Sequence, residues 1–372
     1  MRLTFSEIKN KIGKIVPEGL DYDVDLEAGS ISIITREPAS FGGAGGQSLT
    51  VKIAKAIRRR VVIRPHPELL SSETEVNDAV SRIMPSEAQI RRIWLDPALS
   101  EVTIEADDPK SAVGQKGTNI QQLRNEIGWL VNVVRAPARE SRTQTDIRRF
   151  RKELADERKT LLRKFGTRIY RPQRPGPSWA RVTALGSYRE VGRAMHLVTT
   201  NESKVLVDCG AKPTNNRSEV QPFFAAPEML PLDNIDAIVI THAHVDHIGM
   251  LPVLFRYGYK GPVYCTQPTR DLMTLLQMDY IKVAQAEGNE APYSKSDIQE
   301  CIKHVVDVNW GEKTDIAPDI KMTMENAGHI LGSSSVYMQI GEGRTEHKLL
   351  FSGDIKYEKS WLFDAATVRF NK

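Results

Sequence analysis

Three histidines and one aspartate lie within six residues of one another in the segment Thr241-His-Ala-His-Val-Asp-His-Ile-Gly249. An apolar run typical of a β-strand, residues 236–240, precedes this cluster, and a helix-like run, residues 250–256, follows it. Because side chains alternate along a strand, His242 and His244 are expected to point to the same side. Imidazole nitrogens and carboxylate oxygens are ligands that Zn²⁺ takes in proteins. The pattern therefore predicts a metal site at a strand-to-helix turn, since unrelated core or surface histidines would not explain four clustered ligands.

Three further motifs accompany this cluster in a fixed order along the chain. They are Val-Leu-Val-Asp208-Cys-Gly210, Asn326-Ala-Gly-His329-Ile-Leu-Gly-Ser, and Leu350-Phe-Ser-Gly-Asp354. Together with His-x-His-x-Asp-His, they resemble the metallo-β-lactamase superfamily, and specifically its branch with nucleic-acid substrates. The segment Gly186-Ser-Tyr-Arg-Glu-Val-Gly192 resembles the glycine-rich entry loop that this superfamily places beside its metal site.

The length of 372 residues predicts two or three domains. No run of 18 or more apolar residues occurs, and the N-terminus lacks the apolar core of a signal peptide. The three cysteines, Cys209, Cys265 and Cys301, are widely spaced and form no Cys-x-x-Cys pair. This usage fits a reducing compartment and argues against a disulfide framework or a thiolate zinc site. The sequence therefore predicts a cytoplasmic protein without a membrane segment.

The first 138 residues contain an internal repeat with two copies, residues 1–66 and 67–138. Each copy is predicted to form a helix, two strands, a glycine-containing turn, a second helix and a final strand. The second copy resembles a prokaryotic-type (type II) KH domain, with Gly114-Gln115-Lys116-Gly117 as its signature loop. The first copy departs from that pattern, because Phe41-Gly-Gly-Ala-Gly-Gly46 contains no Lys or Arg. We interpret it as a KH-like unit that packs against the second or binds RNA more weakly.

The physical role of the Gly-x-x-Gly loop is to bring backbone close to phosphates. Gly114 and Gly117 permit a tight turn between two helices, although such a turn also occurs without any binding role. The backbone N–H groups and the N-terminus of the following helix attract phosphate, and Lys116 adds a positive charge. Loops of this kind clamp about four nucleotides. The placement of the loop favours single-stranded RNA binding by Gly114, Gln115, Lys116 and Gly117.

Residues 139–178 are predicted to form a basic helical linker. The stretch 139–174 carries 13 Lys and Arg against 5 Asp and Glu, although the whole chain has a net charge of only +4. Such an excess is expected of a phosphate-binding surface, whereas a solvated helix face is the ordinary alternative. An apolar stripe at helical spacing predicts packing against a neighbouring domain: Ile147, Phe150, Leu154, Leu161 and Phe165.

KH units followed by a nuclease-type metal domain resemble the archaeal ribonucleases that are similar to the cleavage and polyadenylation specificity factor and belong to the metallo-β-lactamase/β-CASP family. The resemblance covers essentially the whole chain. It implies α/β and α+β architecture, with tandem KH-like domains followed by an incomplete metallo-β-lactamase αββα sandwich over residues 179–372. It also implies two zinc ions and an RNA substrate.

The resemblance implies a role in metal binding or catalysis for each residue that matches the family's motifs. His242, His244 and His329 would hold one zinc, Asp246 and His247 would hold the other, and Asp354 would bridge both. Asp208 would orient the ligands from behind them. Asp246, His247 and Asp208 are therefore the predicted catalytic residues, and a hydroxide activated by two metals would attack the RNA phosphodiester.

The end of the sequence departs from this family. In that family, a β-CASP domain interrupts the metal domain after the Ser-Gly-Asp motif. Further segments of the family's proteins complete the second zinc site and support a homodimer. This sequence ends at Lys372, soon after Asp354. We therefore expect it to correspond to an N-terminal portion that lacks the β-CASP domain and the dimerisation segment.

Three functions follow as hypotheses. The first is a zinc-dependent RNA endonuclease, with additional exonuclease activity left open, that acts with the transcription machinery in RNA 3′-end processing and transcription termination. The second is an RNA-binding module that is catalytically silent because the β-CASP half is missing. The third and weaker one is a small-ester hydrolase of the glyoxalase type, which uses the same His-x-His-x-Asp-His motif. The KH-like repeat and the basic linker argue against the third, since a small thioester requires neither.

Overall fold

The computed structural model describes residues 3–42, 48–173, 178–212 and 220–370. The chain forms two compact units, one of residues 6–163 and one of residues 164–372 with the first five residues. The division lies inside the helix Ala155–Ile169, within the predicted linker. Among the described residues, no helix combines the length and the apolarity needed to cross a membrane.

The first unit contains two three-stranded sheets with the same topology. The strands of the first sheet are β1 (Tyr22–Glu27), β2 (Ser30–Thr35) and β3 (Val61–Pro65), and those of the second are β4 (Ile90–Asp96), β5 (Glu101–Ala106) and β6 (Leu130–Arg135). In each sheet the middle strand pairs antiparallel with the first and parallel with the third. The predicted internal repeat is therefore confirmed in its element order.

The helices of this unit also follow the predicted repeat. In the first copy they are Phe5–Gly13, Pro38–Phe41 and Leu49–Ile57, and in the second Glu73–Ile83, Pro109–Val113 and Thr118–Ile127. In the second copy, helix residues Val76 and Leu123 are fully buried against Val102, Ile104 and Val131 of the sheet. Alternate strand residues and one stripe of each helix thus form a single apolar core. Most of the glycine loop that follows Phe41 lies outside the described residues.

Buried Arg64 joins the two copies of the repeat. It lies in β3, its side chain is 8% exposed, and its guanidinium donates to both carboxylate oxygens of Glu27 at 2.5 and 2.9 Å. It also donates to Glu101, on β5 of the second copy, at 2.7 Å and to the carbonyl of Leu99 at 2.5 Å. Because a buried charge is tolerated only when it is paired and hydrogen-bonded, these contacts fix the two sheets to each other.

The predicted linker forms two helices, Arg142–Glu153 and Ala155–Ile169. Several of its cations pair with carboxylates of the repeat: Arg148 with Glu105, Lys152 with Glu73 at 2.7 Å, Arg158 with Asp96 at 3.0 Å, and Arg163 with Asp25 at 3.0 Å. The local excess of positive charge is therefore partly neutralised by residues distant in sequence. These four cations do not support the predicted phosphate-binding surface, because their charges already have carboxylate partners.

The second unit contains two packed sheets. The six-stranded sheet has the order β12-β11-β10-β9-β8-β7, with β7 at Ala180–Gly186, β8 at Met195–Thr200, β9 at Lys204–Val207, β10 at Ala237–Val239, β11 at Val263–Cys265 and β12 at Val305–Asp307. The four-stranded sheet has the order β13-β14-β15-β16, with β13 at Lys313–Ala317, β14 at Ile320–Asn326, β15 at Ser334–Ile340 and β16 at His347–Phe351. Strands β9 to β12 are parallel, whereas β7 to β9 and β13 to β16 are antiparallel.

The core of this unit lies between the two sheets. Val205 and Val207 of β9 belong to the same buried cluster as Met322, Met324 and Met338 of the four-stranded sheet. On the other face of the six-stranded sheet, Leu197, Leu206 and Ile238 are also fully buried. Burial on both faces explains why these strands are continuous apolar runs rather than alternating ones. Among the described residues, the α-helices that follow β10 are Val245–Ile248, Leu251–Arg256, Gln267–Ala286 and Lys295–His304.

Candidate metal centre and nucleic-acid loop

The predicted metal ligands, and Asp208 that is predicted to support them, lie in connections next to strand ends. Asp208 follows β9, the cluster from His242 to His247 follows β10, His329 lies between β14 and β15, and Asp354 follows β16. A backbone hydrogen bond of 2.8 Å from the Ser334 N–H to the Thr241 carbonyl joins the two sheets at this point. The fold therefore brings together four motifs that are separated in sequence.

The first donor group consists of His242, His244, His329 and Asp354, whose potential ligand atoms all lie within 4.8 Å of one another. His244 Nδ1 is 3.1 Å from His242 Nε2 and 3.2 Å from His329 Nε2. A tetrahedral Zn²⁺ with bonds of 2.0–2.1 Å would hold its ligand atoms roughly 3.3 to 3.4 Å apart. The distances from His244 Nδ1 to the other two nitrogens are therefore close to the spacing in a zinc tetrahedron.

Asp354 faces this group with one oxygen and a second group with the other. Its Oδ2 lies 3.7 Å from His242 Nε2 and 3.5 Å from His329 Nε2. Its Oδ1 lies 3.5 Å from His247 Nε2, which is in turn 3.8 Å from Asp246 Oδ2. We call Asp246, His247 and Asp354 the second donor group. The two carboxylate oxygens of Asp354 thus face different donor groups.

Asp208 is buried and supports the ligand loop from behind. Its Oδ2 accepts a hydrogen bond from His247 Nδ1 at 2.8 Å, and its Oδ1 accepts one from the Thr241 backbone N–H at 2.8 Å. Asp208 has a φ of 60°, an uncommon backbone conformation for a residue other than glycine. Strained positions of this kind cluster at functional sites, where the surrounding structure holds them.

Backbone pairing attaches the segment after β9 to the ligand loop. The Cys209 N–H donates to the His247 carbonyl at 2.8 Å, and the Ala211 N–H donates to the Val245 carbonyl at 2.9 Å. Between them, Gly210 approaches so closely that a Cβ atom would lie 1.5 Å from the carbonyl oxygen of Asp246. The glycine is required because no side chain fits between the two segments.

Three hydroxyl side chains, those of Ser333, Thr266 and Thr269, hold the His329 loop in place. The Ser333 hydroxyl accepts from the backbone N–H groups of His329 and Ile330, each at 3.1 Å. The hydroxyls of Thr266 and Thr269 donate to the carbonyl of Gly332 at 2.8 and 3.1 Å. Thr241, Thr266, Thr269 and Ser333 were not identified from the sequence, because a single hydroxyl residue carries no distinctive pattern.

Without a bound metal ion, the pKa values of two neighbouring histidines move in opposite directions. Burial, reinforced by the charge of His247, lowers the pKa of His242 to about 3. Burial also opposes protonation of His247, but the charge of Asp208 and hydrogen bonds with Asp208 and Asp354 raise its pKa to about 10. The hydrogen bond from His247 lowers the pKa of Asp354 to about 2. A metal ion at the second donor group would therefore replace a proton on His247.

The predicted RNA-binding loop lies in the other unit, between the helices Pro109–Val113 and Thr118–Ile127. Gly114 and Gly117 have φ values of 75° and 81°, and Lys116 between them also has a positive φ of 52°. Gln115 and Lys116 are exposed, and the loop ends at the N-terminus of the second helix. The glycine turn, the exposed cation and the helix N-terminus predicted from the sequence are therefore adjacent in the structure.

Two segments of the chain match models of known protein families. Residues 197–369 match the family model of the metallo-β-lactamase superfamily domain. Residues 2–70 match the family model described as the KH domain of transcription termination factor FttA. The KH match thus falls on the first copy of the repeat, the copy whose glycine loop departs from the usual signature.

Three curated relatives named transcription termination factor FttA align with nearly the whole chain. The protein of Methanosarcina mazei is 42% identical over 365 residues, which are 98% of this chain and 56% of the relative. That of Methanothermobacter thermautotrophicus is 40% identical over 366 residues, 98% of this chain and 57% of the relative. That of Lokiarchaeum sp. is 36% identical over 369 residues, 99% of this chain and 57% of the relative. The chain thus spans somewhat more than half the length of these relatives.

Proposed function

We propose that this chain, which matches the metallo-β-lactamase superfamily domain over residues 197–369 and is similar to the transcription termination factors named FttA, acts on RNA as a zinc-dependent endonuclease in transcription termination. Its KH-like repeat would bind the single-stranded transcript, and its metal unit would cut it. Components of the transcription machinery are the proposed protein partners.

The observation that carries the nuclease proposal is the geometry of the two donor groups. Three imidazole nitrogens converge at 3.1 and 3.2 Å, and Asp354 presents its two oxygens to different groups. Nitrogen and carboxylate donors at these spacings suit Zn²⁺. Two zinc ions in such a site would supply a water of lowered pKa and stabilise charge on the phosphodiester during an in-line displacement.

The residues of the chain divide this work between them. His242, His244 and His329 would hold one ion, Asp246 and His247 the other, and Asp354 both. Asp208 would hold the Nδ1 proton of His247, so that Nε2 is the nitrogen that faces the metal ion. The backbone of the 114–117 loop and Lys116 would bind phosphates of the transcript.

The test is cleavage of an end-labelled single-stranded RNA by the purified chain with added zinc. We expect wild-type cleavage that a chelator abolishes. The cleavage rate of Asp246→Ala should fall by at least about 10- to 100-fold. That is the loss typical when a residue that only supports a metal ligand is removed. Asp279→Ala is a matched control, because it removes an exposed carboxylate from the helix Gln267–Ala286.

Cleavage that survives in Asp246→Ala at the wild-type rate would contradict the proposal. RNA binding should be equal in all three proteins, because the KH-like repeat does not use Asp246. If the wild-type chain binds RNA and zinc but does not cut, the second hypothesis is favoured, namely an RNA-binding module. That hypothesis is motivated by the fraction of the relatives that the chain spans, 56–57%.

A further inference from the structure

Thr241 occupies the centre of a hydrogen-bonded chain that reaches both donor groups. Its hydroxyl oxygen, in a residue that is 1% exposed, lies 2.9 Å from Asp208 Oδ2 and 3.0 Å from His242 Nδ1. The same Asp208 oxygen lies 2.8 Å from His247 Nδ1. One carboxylate therefore contacts His247 directly and His242 through the hydroxyl of Thr241.

The direction of these hydrogen bonds follows from their chemistry. A carboxylate only accepts, whereas a hydroxyl donates one hydrogen and accepts at its lone pairs. If the Thr241 hydrogen pointed at His242, the lone pairs of Oγ1 would face the carboxylate at 2.9 Å without a proton between them. The hydroxyl therefore donates to Asp208 and accepts from the Nδ1–H of His242.

This arrangement places a ring proton on Nδ1 of each histidine. With its proton on Nδ1, neutral His242 carries its lone pair on Nε2, the atom that lies 3.1 Å from His244 Nδ1. His247 donates its Nδ1 proton to Asp208, which directs Nε2 towards Asp246 and Asp354. In both rings Nε2 thus faces the donor groups; in His242 it carries a lone pair, and in His247 a metal ion would replace its proton.

We propose that Thr241 is a positioning residue that extends the influence of Asp208 to His242, so that a single hydrogen-bonded chain prepares both metal sites. This inference rests on the metal centre of the proposed function and deepens it. Thr241 contacts His242 at Nδ1, the ring nitrogen that faces away from the donor group, and it is not proposed as a metal ligand.

The first experiment measures zinc affinity by competition with a chromophoric chelator. Thr241→Val keeps the shape but removes the hydroxyl, so we expect zinc binding to weaken about 10- to 100-fold, as for other residues that support a ligand. Thr241→Ser restores the hydroxyl and should bind within a few-fold of wild type. Thr199→Val is the matched control, because the buried hydroxyl of Thr199 has no hydrogen-bond partner among the described residues.

The second experiment reads the tautomers directly by nitrogen NMR of the metal-free chain with its eight histidines labelled. We expect the proton of wild-type His242 on Nδ1, and a mixture of tautomers in Thr241→Val. A wild-type His242 protonated on Nε2 would overturn the inference, even if the valine variant failed to fold. Thr241→Ser binding zinc as weakly as Thr241→Val, or Thr241→Val binding as tightly as wild type, would also overturn it.

The zinc competition and the RNA cleavage assay together separate this inference from the proposed function. A chain that binds zinc as expected but cuts no RNA would contradict the nuclease and leave the role of Thr241 intact. A chain that cuts RNA, with zinc affinity unchanged in Thr241→Val, would contradict the role of Thr241 alone.

Discussion

Gly210 shows how a single atom can decide whether the metal centre forms. A Cβ at this position would lie 1.5 Å from the carbonyl oxygen of Asp246 and 2.8 Å from the backbone nitrogen of His247. Both neighbouring atoms are backbone, so relief requires the ligand loop itself to move. The smallest side chain should therefore disturb the second donor group.

We predict that Gly210→Ala lowers the free energy of unfolding of the metal-free chain by about 1–3 kcal/mol, as expected for overpacking, and also weakens zinc binding. Chemical denaturation and zinc titration would measure the two effects. The control is Gly13→Ala, since a Cβ there would meet only the Tyr22 hydroxyl at 3.5 Å. Wild-type zinc affinity in Gly210→Ala would show that the loop can move without cost.

Glu190 anchors the entry loop beside the ligand segment. It accepts from Arg193 at 2.5 Å and from Lys212 at 2.9 Å. Just after this loop, the Ala194 N–H donates to the carbonyl of Asp246 at 2.8 Å. Hydrogen bonds from Arg193 and Lys212 lower the pKa of Glu190 from its ordinary 4.5 to about 2.

The sign of the resulting pH dependence follows from this lowered pKa. The pairing stabilises the folded chain above about pH 4.5, and this contribution is lost as the pH falls towards 2. We predict a Glu190 titration midpoint near 2 by carbon NMR, and a higher midpoint in Lys212→Met because one donor is removed. An ordinary midpoint in the wild-type chain would contradict this description of the loop.

At the scale of elements, the turn between the helices Pro109–Val113 and Thr118–Ile127 is proposed to bind RNA and contains none of the predicted metal ligands. RNA binding can therefore be tested apart from metal binding. The side chains of Gln115 and Lys116 are exposed, so they can change while both glycines remain. We predict that Gln115→Asp with Lys116→Asp weakens single-stranded RNA binding at least tenfold and leaves zinc content unchanged, because carboxylates repel phosphate at the clamp. Fluorescence anisotropy and metal analysis would measure the two properties.

A charge-matched control exists in the same unit. Asn10→Asp with Lys11→Asp changes the net charge equally on an exposed face of the helix Phe5–Gly13. This control should bind RNA better than the loop variant does. Equal losses in both would mean that overall charge, rather than the loop, determines RNA affinity.

The linker helices show how far an element can be predicted from its own sequence. The apolar stripe was placed correctly at its ends, where Ile147 and Phe165 are buried. The net charge of the same helices depends on residues outside the segment, because Glu105 and Asp96 pair with Arg148 and Arg158. A local charge count misses every partner that the fold supplies from elsewhere in the chain.

At the scale of the whole molecule, RNA affinity should depend on salt, since phosphates dominate such binding. A loop that clamps about four nucleotides predicts a slope of roughly −3 in log affinity against log salt for a single strand. The slope of the variant with Lys116 replaced should be shallower by about 1. A slope near zero in the wild-type chain would indicate stacking rather than phosphate contacts.

The sequence by itself determined the repeat and the order of strands and helices, and it predicted which residues gather at the candidate metal centre. These features are local, because alternation, helical spacing and clusters such as His-x-His-x-Asp-His are complete within a few residues. The same holds for Gly114 and Gly117, whose positive φ values are what a tight turn requires. They could be predicted because the physical constraint and the residue that satisfies it lie at the same place in the chain.

The tertiary structure alone decided how those donors are supported. Asp208 meets His247 from another strand, Thr241 connects that carboxylate to His242, and Asp354 divides its oxygens between two groups. Most of these contacts join residues far apart in sequence, as Asp208 is from Thr241 and His247. No spacing in the sequence records them, because they exist only once two sheets have packed and their connecting loops have met.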